Sequence, residues 1–166
     1  ARQGRSTVHF GSATGLSAAA NWSHVGYQES RSGWSVACAG DTNGDGPSVG
    51  HPGDWYGIRW LRPGAVALAD VVVEYPEVGI TIAGAADLRR VAVRHARRAG
   101  IMLSEATGPP LLDEVEVSGS EGFGAVLDGG WLVRVSDCSF AHNRGGGLLR
   151  TGGALACTDS QFEHNG

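Results

Sequence analysis

The sequence predicts an all-β solenoid, a parallel β-helix of about five coils, and three observations lead to this fold class. Five segments repeat one pattern of apolar and polar residues, and their starts lie 20, 24, 23 and 22 residues apart. A short Gly-led strand recurs between each pair of these segments. No stretch of useful length has the helical period, so leucine-rich and ankyrin-type repeats fit poorly. A period in the low twenties with two short strands per unit is typical of a solenoid.

The first strand of each unit is mostly apolar at its first, fourth and sixth positions. Its copies are 68–73, 88–93, 112–117, 135–140 and 157–162. Alternation predicts that the fourth and sixth residues point inward and the third and fifth outward. The apolar first residue then requires a bend just after it. Parallel coils place like residues above like, so we expect Phe140 to lie over Phe162.

The second strand of each unit begins with Gly. Its copies are 57–60, 79–82, 100–103, 124–127 and 147–150. The residue after each Gly is predicted to point inward, and the next one outward. The outward positions of the last three copies are Met102, Val126 and Leu149, an apolar stripe of the kind that contacts another chain or a side domain.

Composition limits the possible functions. The chain has 166 residues and 27 Gly, which suits a turn-rich β protein of one medium domain or two small ones. Its net charge of −4 provides no basic field, so nucleic acid is not an expected partner. No apolar run approaches the roughly 20 residues that cross a bilayer, so no membrane span is expected.

Several repeated polar residues have a structural interpretation beside a functional one. Cys138 and Cys157 occupy different positions of the repeat, which favours buried free thiols over a disulfide. His142-Asn143 and His164-Asn165 recur 22 residues apart, and His95 holds a similar place two coils earlier. We expect stacked Asn side chains that bond successive backbones rather than a histidine metal site. The cluster of Arg89, Arg90, Arg94, Arg97 and Arg98 is expected to neutralise neighbouring acidic coils, with contact to an acidic glycan as the alternative.

Residues 1–50 differ from the repeats, and 51–166 form the predicted β-helix. The segments 7–17, Trp22, 33–38 and 41–46 together resemble an FG-GAP repeat, the blade of integrin-like β-propellers, over about residues 6–46. The resemblance implies calcium bound by Asp41, Asn43 and Asp45, with the turn at Gly46. Alternating oxygen side chains before a Gly are also the first half of an EF-hand-type loop. Pro52 and Val49 depart from its second half, and a metal-free turn is the alternative.

The segments 41–46, 51–58 and 68–75 look like the first coils of bacterial β-helix proteins of the pectate-lyase-like superfamily. This resemblance covers about residues 41–166 and implies a right-handed helix. The FG-GAP-like segment would then act as a cap or a partial blade. The outer face carries one charged column of Asp70, Arg90, Glu114, Asp137 and Asp159. Its first interpretation is a solvated face.

The charged column also contains the candidate catalytic residues. The resemblance implies an arginine base, for which Arg90 or Arg94 is available, although Arg resists deprotonation. Asp137 and Asp159 are one coil apart, roughly 5 Å by strand spacing, so a carboxylate pair for hydrolysis is geometrically possible.

The sequence thus predicts a secreted or surface-displayed bacterial module with a structural or adhesive role toward glycans or partner proteins. A polysaccharide lyase or glycoside hydrolase is the first alternative. We also expect the natural chain to continue beyond Gly166, or its open coil end to be covered by a partner. A filament subunit that self-associates through that coil end is the second alternative.

Overall fold

The computed structural model describes residues 50–61, 64–104 and 108–166, together with the backbone of four short strands nearer the N-terminus. These four are β1 (Arg5–Val8), β2 (Gly11–Ser12), β3 (Gly15–Leu16) and β4 (Trp22–Val25). β1 pairs with β4 and β2 with β3, both antiparallel. All other pairing described in the chain is parallel.

The rest of the described chain is a β-solenoid of about five coils without a helix, which confirms the predicted fold class. One parallel sheet contains the five Gly-led strands in the spatial order β14-β11-β9-β7-β5. Their bounds are β5 (Ile58–Trp60), β7 (Val78–Ala83), β9 (Ala99–Ser104), β11 (Phe123–Leu127) and β14 (Gly146–Arg150). Each coil thus adds one strand to this sheet.

The second sheet contains the other repeated strand and has seven members. In the first three coils it is one long strand: β6 (Ala65–Glu74), β8 (Ala85–Arg94) and β10 (Leu111–Ser118). In the last two coils it is divided into β12 (Val133–Ser136) and β13 (Ser139–Ala141), then β15 (Leu155–Thr158) and β16 (Gln161–Glu163). The division coincides with polar residues at the fourth repeat position. The N–H of Val115 donates to Cys138 Sγ at 3.4 Å, and that of Cys138 donates to Ser160 Oγ at 3.1 Å.

The bend of this strand lies at the third repeat position, not directly after the first as the sequence suggested. Every residue there has a left-handed backbone, with φ of 57° at Asp70 and 48° at Asp159. The strand register omits these residues: Ala69 pairs with Arg89, and the next pair is Val71 with Val91. One left-handed residue reverses the alternation, so the first and fourth residues both face the core. Asp is among the few non-Gly residues enriched in that conformation.

A second left-handed corner follows the sixth repeat position. It is occupied by Tyr75, His95, Gly119, His142 and His164. The predicted relation between His95 and the two later His residues is therefore confirmed, since all three occupy the same corner.

The third corner, which leads from the Gly-led strand into the next coil, absorbs most of the variation in repeat length. The relevant spacing runs from the inward residue of each Gly-led strand to the first repeat position of the next coil. It is 8, 11, 10 and 9 positions for the strands of Ile80, Ile101, Ala125 and Leu148. The stretch across the left-handed bend is instead constant, with seven positions from each first residue to the second corner. Loops of varying length therefore lie along a single edge of the solenoid, and such loops are where binding residues concentrate in many folds.

Apolar side chains from both sheets fill the interior. Leu88, Val91 and Val93 from one sheet and Ile80 and Ile101 from the other are at most 1% exposed. Each such side chain contributes roughly 1.5–3 kcal/mol through burial. Phe140 lies over Phe162 with ring centroids 5.2 Å apart, as predicted.

The predicted orientation of the Gly-led strands is also confirmed. Ile80 and Ala125 are fully buried, whereas Met102, Val126 and Leu149 face outward and are half-buried. The apolar stripe predicted from the sequence is therefore present on the outer surface.

The cysteine prediction is half right. Cys138 and Cys157 are both free, and Cys138 is buried, but Cys157 is exposed. Cys157 lies on the fifth coil, and the last coil of this chain leaves its first repeat position open to solvent. Burial raises the pKa of the Cys138 thiol to about 11.

Candidate functional site

An open depression of about 250 Å³ lies on the outer face of β10 and β13, at the corner that Asp137 forms. Its polar lining consists of Glu114, Glu116, Ser118, Asp137 and Ser139. Two adjacent coils supply these side chains, and parallel pairing sets Glu116 directly beside Ser139. The depression thus presents carboxylate acceptors and hydroxyl groups at a spacing of about 4.8 Å.

The catalytic candidates Arg90, Asp137 and Asp159 all lie at the left-handed bend, but on different coils, and only Asp137 lines the depression. Asp137 lines the depression together with Glu114 of the preceding coil. Asp159 lies at the same corner one coil further, where the N–H of Asp137 donates to the carbonyl of Thr158 at 3.2 Å. Arg90 lies at this corner on the other side of Glu114, and it does not line the depression.

Arg90 forms a two-pronged ion pair with Asp70 of the preceding coil. The Nε–Oδ1 and Nη2–Oδ2 distances are 2.6 and 3.0 Å. Hydrogen bonding to Asp70 raises the pKa of Arg90, and the same bond lowers the pKa of Asp70. A general base at Arg90 would need a lowered pKa, which is the opposite direction.

Arg94, the other candidate for an arginine base, connects three coils. Its guanidinium lies 3.5 Å from Glu74 and 3.5 Å from Glu116, which belong to the preceding and the following coil. The bond to Glu116 raises the pKa of Arg94. Because Glu116 lines the depression, Arg94 lies beside one wall of it.

The basic cluster is largely paired with acidic side chains, as the sequence predicted. Besides Arg90 and Arg94, the guanidinium of Arg97 lies 3.5 Å from Glu77 of the preceding coil. Arg89 instead pairs within its own strand, with Asp87 at 2.8 Å. These side chains are substantially exposed, so each pair contributes about 0–1 kcal/mol to stability.

The second corner holds a hydrogen-bonded asparagine ladder beside stacked rings. Asn143 is fully buried; its Oδ1 accepts from the N–H of Ser120 at 3.1 Å, and its Nδ2 donates to the carbonyl of Val117 at 3.1 Å. Asn165 repeats the arrangement one coil later by donating to the carbonyl of Phe140. The rings of His142 and His164 stack at 5.0 Å. The predicted structural role of the Asn residues is therefore confirmed.

Two parts of the chain bear on metal binding. Within the described part of the chain, no group of three or more His, Cys, Asp and Glu side chains is placed to hold a metal ion. The calcium ligands predicted from the sequence, Asp41, Asn43 and Asp45, lie outside the described residues.

Glu116 and Ser139 share the fifth repeat position, whose residues the sequence predicts to point outward in one column. Neither was identified as a candidate site residue, and Ser118 was not assigned to this surface. Ser118 lies beyond the sixth position and could be placed only once the strand was known to continue to the second corner. The third-corner loop at 128–132 was also missed, because it belongs to neither repeated strand.

Comparisons of the chain with protein-family models, with curated proteins and with solved structures returned no match. The architecture therefore stands on the structure itself, and the finer resemblances to pectate-lyase-like and FG-GAP proteins are not supported by a family match. Among the described residues, none belongs to a helix with the length and apolar character needed to cross a bilayer.

Proposed function

We propose that the protein is a structural or adhesive module, secreted or displayed at a bacterial cell surface, whose stiff β-solenoid presents its outer face to glycans or partner proteins. The observation that carries this proposal is the shape and lining of the depression over β10 and β13. It is open to solvent, and three carboxylates and two hydroxyls lie in its lining beside the apolar Val115 and Ala141. Sites that hold small molecules are usually enclosed and mostly apolar.

The regular stacking of the coils favours an extended ligand over a compact one. Glu116 and Ser139 occupy equivalent places on neighbouring coils, as do Val117 and Phe140 beneath them. Such a surface places different side chains at a regular spacing along the solenoid axis, and a polymer with its own repeat can contact several coils at once. Sugar hydroxyls are donors that match the carboxylate oxygens of Glu114, Glu116 and Asp137.

A glycan array followed by calorimetry tests this proposal. We expect the chain to bind at least one glycan without changing it, and the double variant Glu116→Gln, Asp137→Asn to bind at least about tenfold more weakly. Glu121→Gln is the matched control, because Glu121 is an exposed acid outside the depression. A wild-type chain that binds neither a glycan nor a protein from the cell surface would contradict the proposal.

One observation favours a second candidate, a carbohydrate-active enzyme. Glu114 and Asp137 occupy the same corner on adjacent coils and line one depression. A backbone spacing of about 4.8 Å allows two carboxyl groups to act as general acid and base or nucleophile. The raised pKa of Arg90 makes hydrolysis a better fit than arginine-dependent elimination.

Product analysis distinguishes the enzyme from the binding module. Release of reducing sugar ends that is abolished by Asp137→Asn, and unaffected by Asp87→Asn, would establish the hydrolase. Asp87 is a suitable control because it lies outside the depression and pairs with Arg89. Binding without any product after prolonged incubation would favour the module.

Calcium binding by the N-terminal segment is part of the same proposal. Its ligands would be Asp41, Asn43 and Asp45, because oxygen side chains at alternate positions suit a hard cation. Calorimetric titration of calcium into the wild type and into the variants Asp41→Asn and Asp45→Asn tests it. We expect heat of binding in the wild type and its loss in both variants, and a wild type without heat would contradict the calcium site.

A further inference from the structure

The third corner between β11 and β12 exposes large apolar side chains on a short loop. In residues 128–132, Trp131 is 47% exposed and Leu132 is 40% exposed. On the next coil Leu155, which is 39% exposed, pairs directly with Val133 at the end of this loop. An exposed Trp offers a large, rigid contact area.

Arg150 of the following Gly-led strand holds this loop in place. Its Nη1 donates to the carbonyl of Leu127 at 2.8 Å, and its Nη2 donates to the carbonyls of Gly129 at 2.7 Å and Trp131 at 2.6 Å. Bonds from a charged donor are stronger than those between neutral groups. One guanidinium therefore fixes both the start of the loop and the backbone of Trp131 itself.

The hydrogen-bond partners of the Arg150 guanidinium are backbone carbonyls instead of a carboxylate. Among the described residues it forms no ion pair with a carboxylate, and its Nε is buried without a hydrogen-bond acceptor. Partial burial of a charge without a counter-ion disfavours the folded state. The arrangement places a surface Trp rigidly, and a preorganised loop loses less conformational freedom when it binds a ligand.

Polar groups suited to hydroxyl recognition lie at the base of the same loop. Asp128 is exposed, and its Oδ1 accepts a hydrogen bond from the hydroxyl of Thr151 at 2.7 Å. Its Oδ2 accepts no bond from the described residues. Beside them, Gly130 has open space where a side chain would be. A flat ligand can thus approach the backbone between Asp128 and Trp131.

We propose that the loop 128–132 is a carbohydrate contact that takes one pyranose ring of a neutral glycan. The apolar C–H face of the ring packs on the indole of Trp131, and a ring hydroxyl donates to Asp128 Oδ2. The guanidinium of Arg150 already donates to three backbone carbonyls, so it is not available to pair with a sugar carboxylate. Because Asp128 is negatively charged and would repel a uronate, an uncharged sugar is favoured. This inference rests on the proposed function. It adds to the depression a second contact with the glycan and specifies an uncharged sugar.

The test uses the full chain and two probes, cellohexaose and a hexagalacturonate. Cellohexaose is chosen because β-linked glucose presents apolar C–H faces on both sides of each ring. We expect Trp131→Ala to weaken cellohexaose binding at least about tenfold, as removal of a central Trp does in other interfaces. Trp131→Phe should retain most of the affinity, and Tyr56→Ala, which removes another exposed aromatic ring, should have no effect.

Arg150→Met tests the positioning role separately. We expect faster amide exchange in residues 128–132 and weaker cellohexaose binding, while the core strands retain wild-type protection. Equal cellohexaose affinity in the wild type and Trp131→Ala would overturn the inference, as would a wild type that binds only hexagalacturonate. Loss of binding to a neutral glycan from the array in Glu116→Gln, Asp137→Asn, with that binding unchanged in Trp131→Ala, would leave the proposed function intact while overturning the contact at Trp131.

Discussion

The Oδ1 atom of Asn165 accepts hydrogen bonds from both the backbone N–H and the Nδ2 of Asn143, at 3.0 and 3.1 Å. Asn143 in turn satisfies the N–H of Ser120 and the carbonyl of Val117 on the coil before it. The second corner of three successive coils is therefore joined by side-chain amides as well as by the backbone.

We expect Asn143→Ala to lower the free energy of unfolding by about 2–4 kcal/mol, because it leaves buried backbone groups of Val117 and Ser120 without partners. Urea denaturation followed by circular dichroism measures the change. Arg144→Ala, at the exposed neighbouring position, should shift stability by less than about 0.5 kcal/mol. Equal losses in the two variants would show that the ladder has no special role.

The Gly-led strands provide a second prediction. A Cβ at Gly100 would overlap Cγ1 of Val117 and lie 2.7 Å from the carbonyl oxygen of Gly124, so both the core and the next coil would have to move. We expect Gly100→Ala to destabilise the fold by about 1–3 kcal/mol or more. Gly130→Ala is the control, since nothing lies within 4 Å of its built Cβ. Thermal melts of both variants should differ clearly, and identical melting temperatures would refute the close packing of the coils.

The left-handed corner at Glu114 makes a third prediction. A β-branched residue is strongly disfavoured at φ of 52°, whereas Asn adopts that region readily. Glu114→Val should therefore destabilise the chain by about 1–2 kcal/mol relative to Glu114→Asn. Chemical denaturation of the pair isolates the backbone effect, because both variants remove the same carboxylate. A Val variant as stable as the Asn variant would contradict the left-handed geometry.

The buried thiol of Cys138 is expected to lower the free energy of unfolding as the pH rises into the alkaline range. Its folded pKa is about 11 and its ordinary value is 9.0, so the folded state holds the proton more tightly. The stabilisation is complete below about pH 9 and is lost as the pH rises toward 11. The sequence contains 13 Arg and no Lys, so Tyr and Cys are the side-chain types whose ordinary pKa values fall near this window.

Cys138→Ser should flatten that alkaline decline, because Ser160 shows that a hydroxyl at the fourth repeat position accepts the same backbone bond. Stability measured from about pH 8 to about pH 11 in the two proteins checks this. Peptide mapping after alkylation at neutral pH should find Cys157 modified and Cys138 protected. An unchanged pH profile in the Ser variant would exclude Cys138 as its source.

Much of the architecture could be predicted because the repeat specifies its own inward positions. The pairing of Leu68 with Leu88, and of Ile80 with Ile101, follows from aligning the units. The position of the bend could not be found that way. Asp70 and Asp137 look like outward polar residues in any alternating pattern, and only the backbone shows that they form the corner.

The candidate site was predicted less completely. Asp137 was identified as a candidate because it belongs to the charged column. The column alone does not show which other side chains line a depression with Asp137. Glu116 and Ser139 lie two positions after Glu114 and Asp137, and the structure shows that all four side chains line one depression. The aligned repeats did place Arg90 beside Asp70 in the charged column, and the structure adds that the two form a two-pronged ion pair.

The uneven length of the third corner has a consequence for how such a chain can change. Insertions between β11 and β12 leave the pairing of Val133 with Leu155, and every inward residue after it, undisturbed. An insertion at the constant stretch through Asp137 would displace all later inward side chains. Residues 128–132 can therefore be lengthened or replaced by a different binding segment, while the strand pairing of the coils keeps its register.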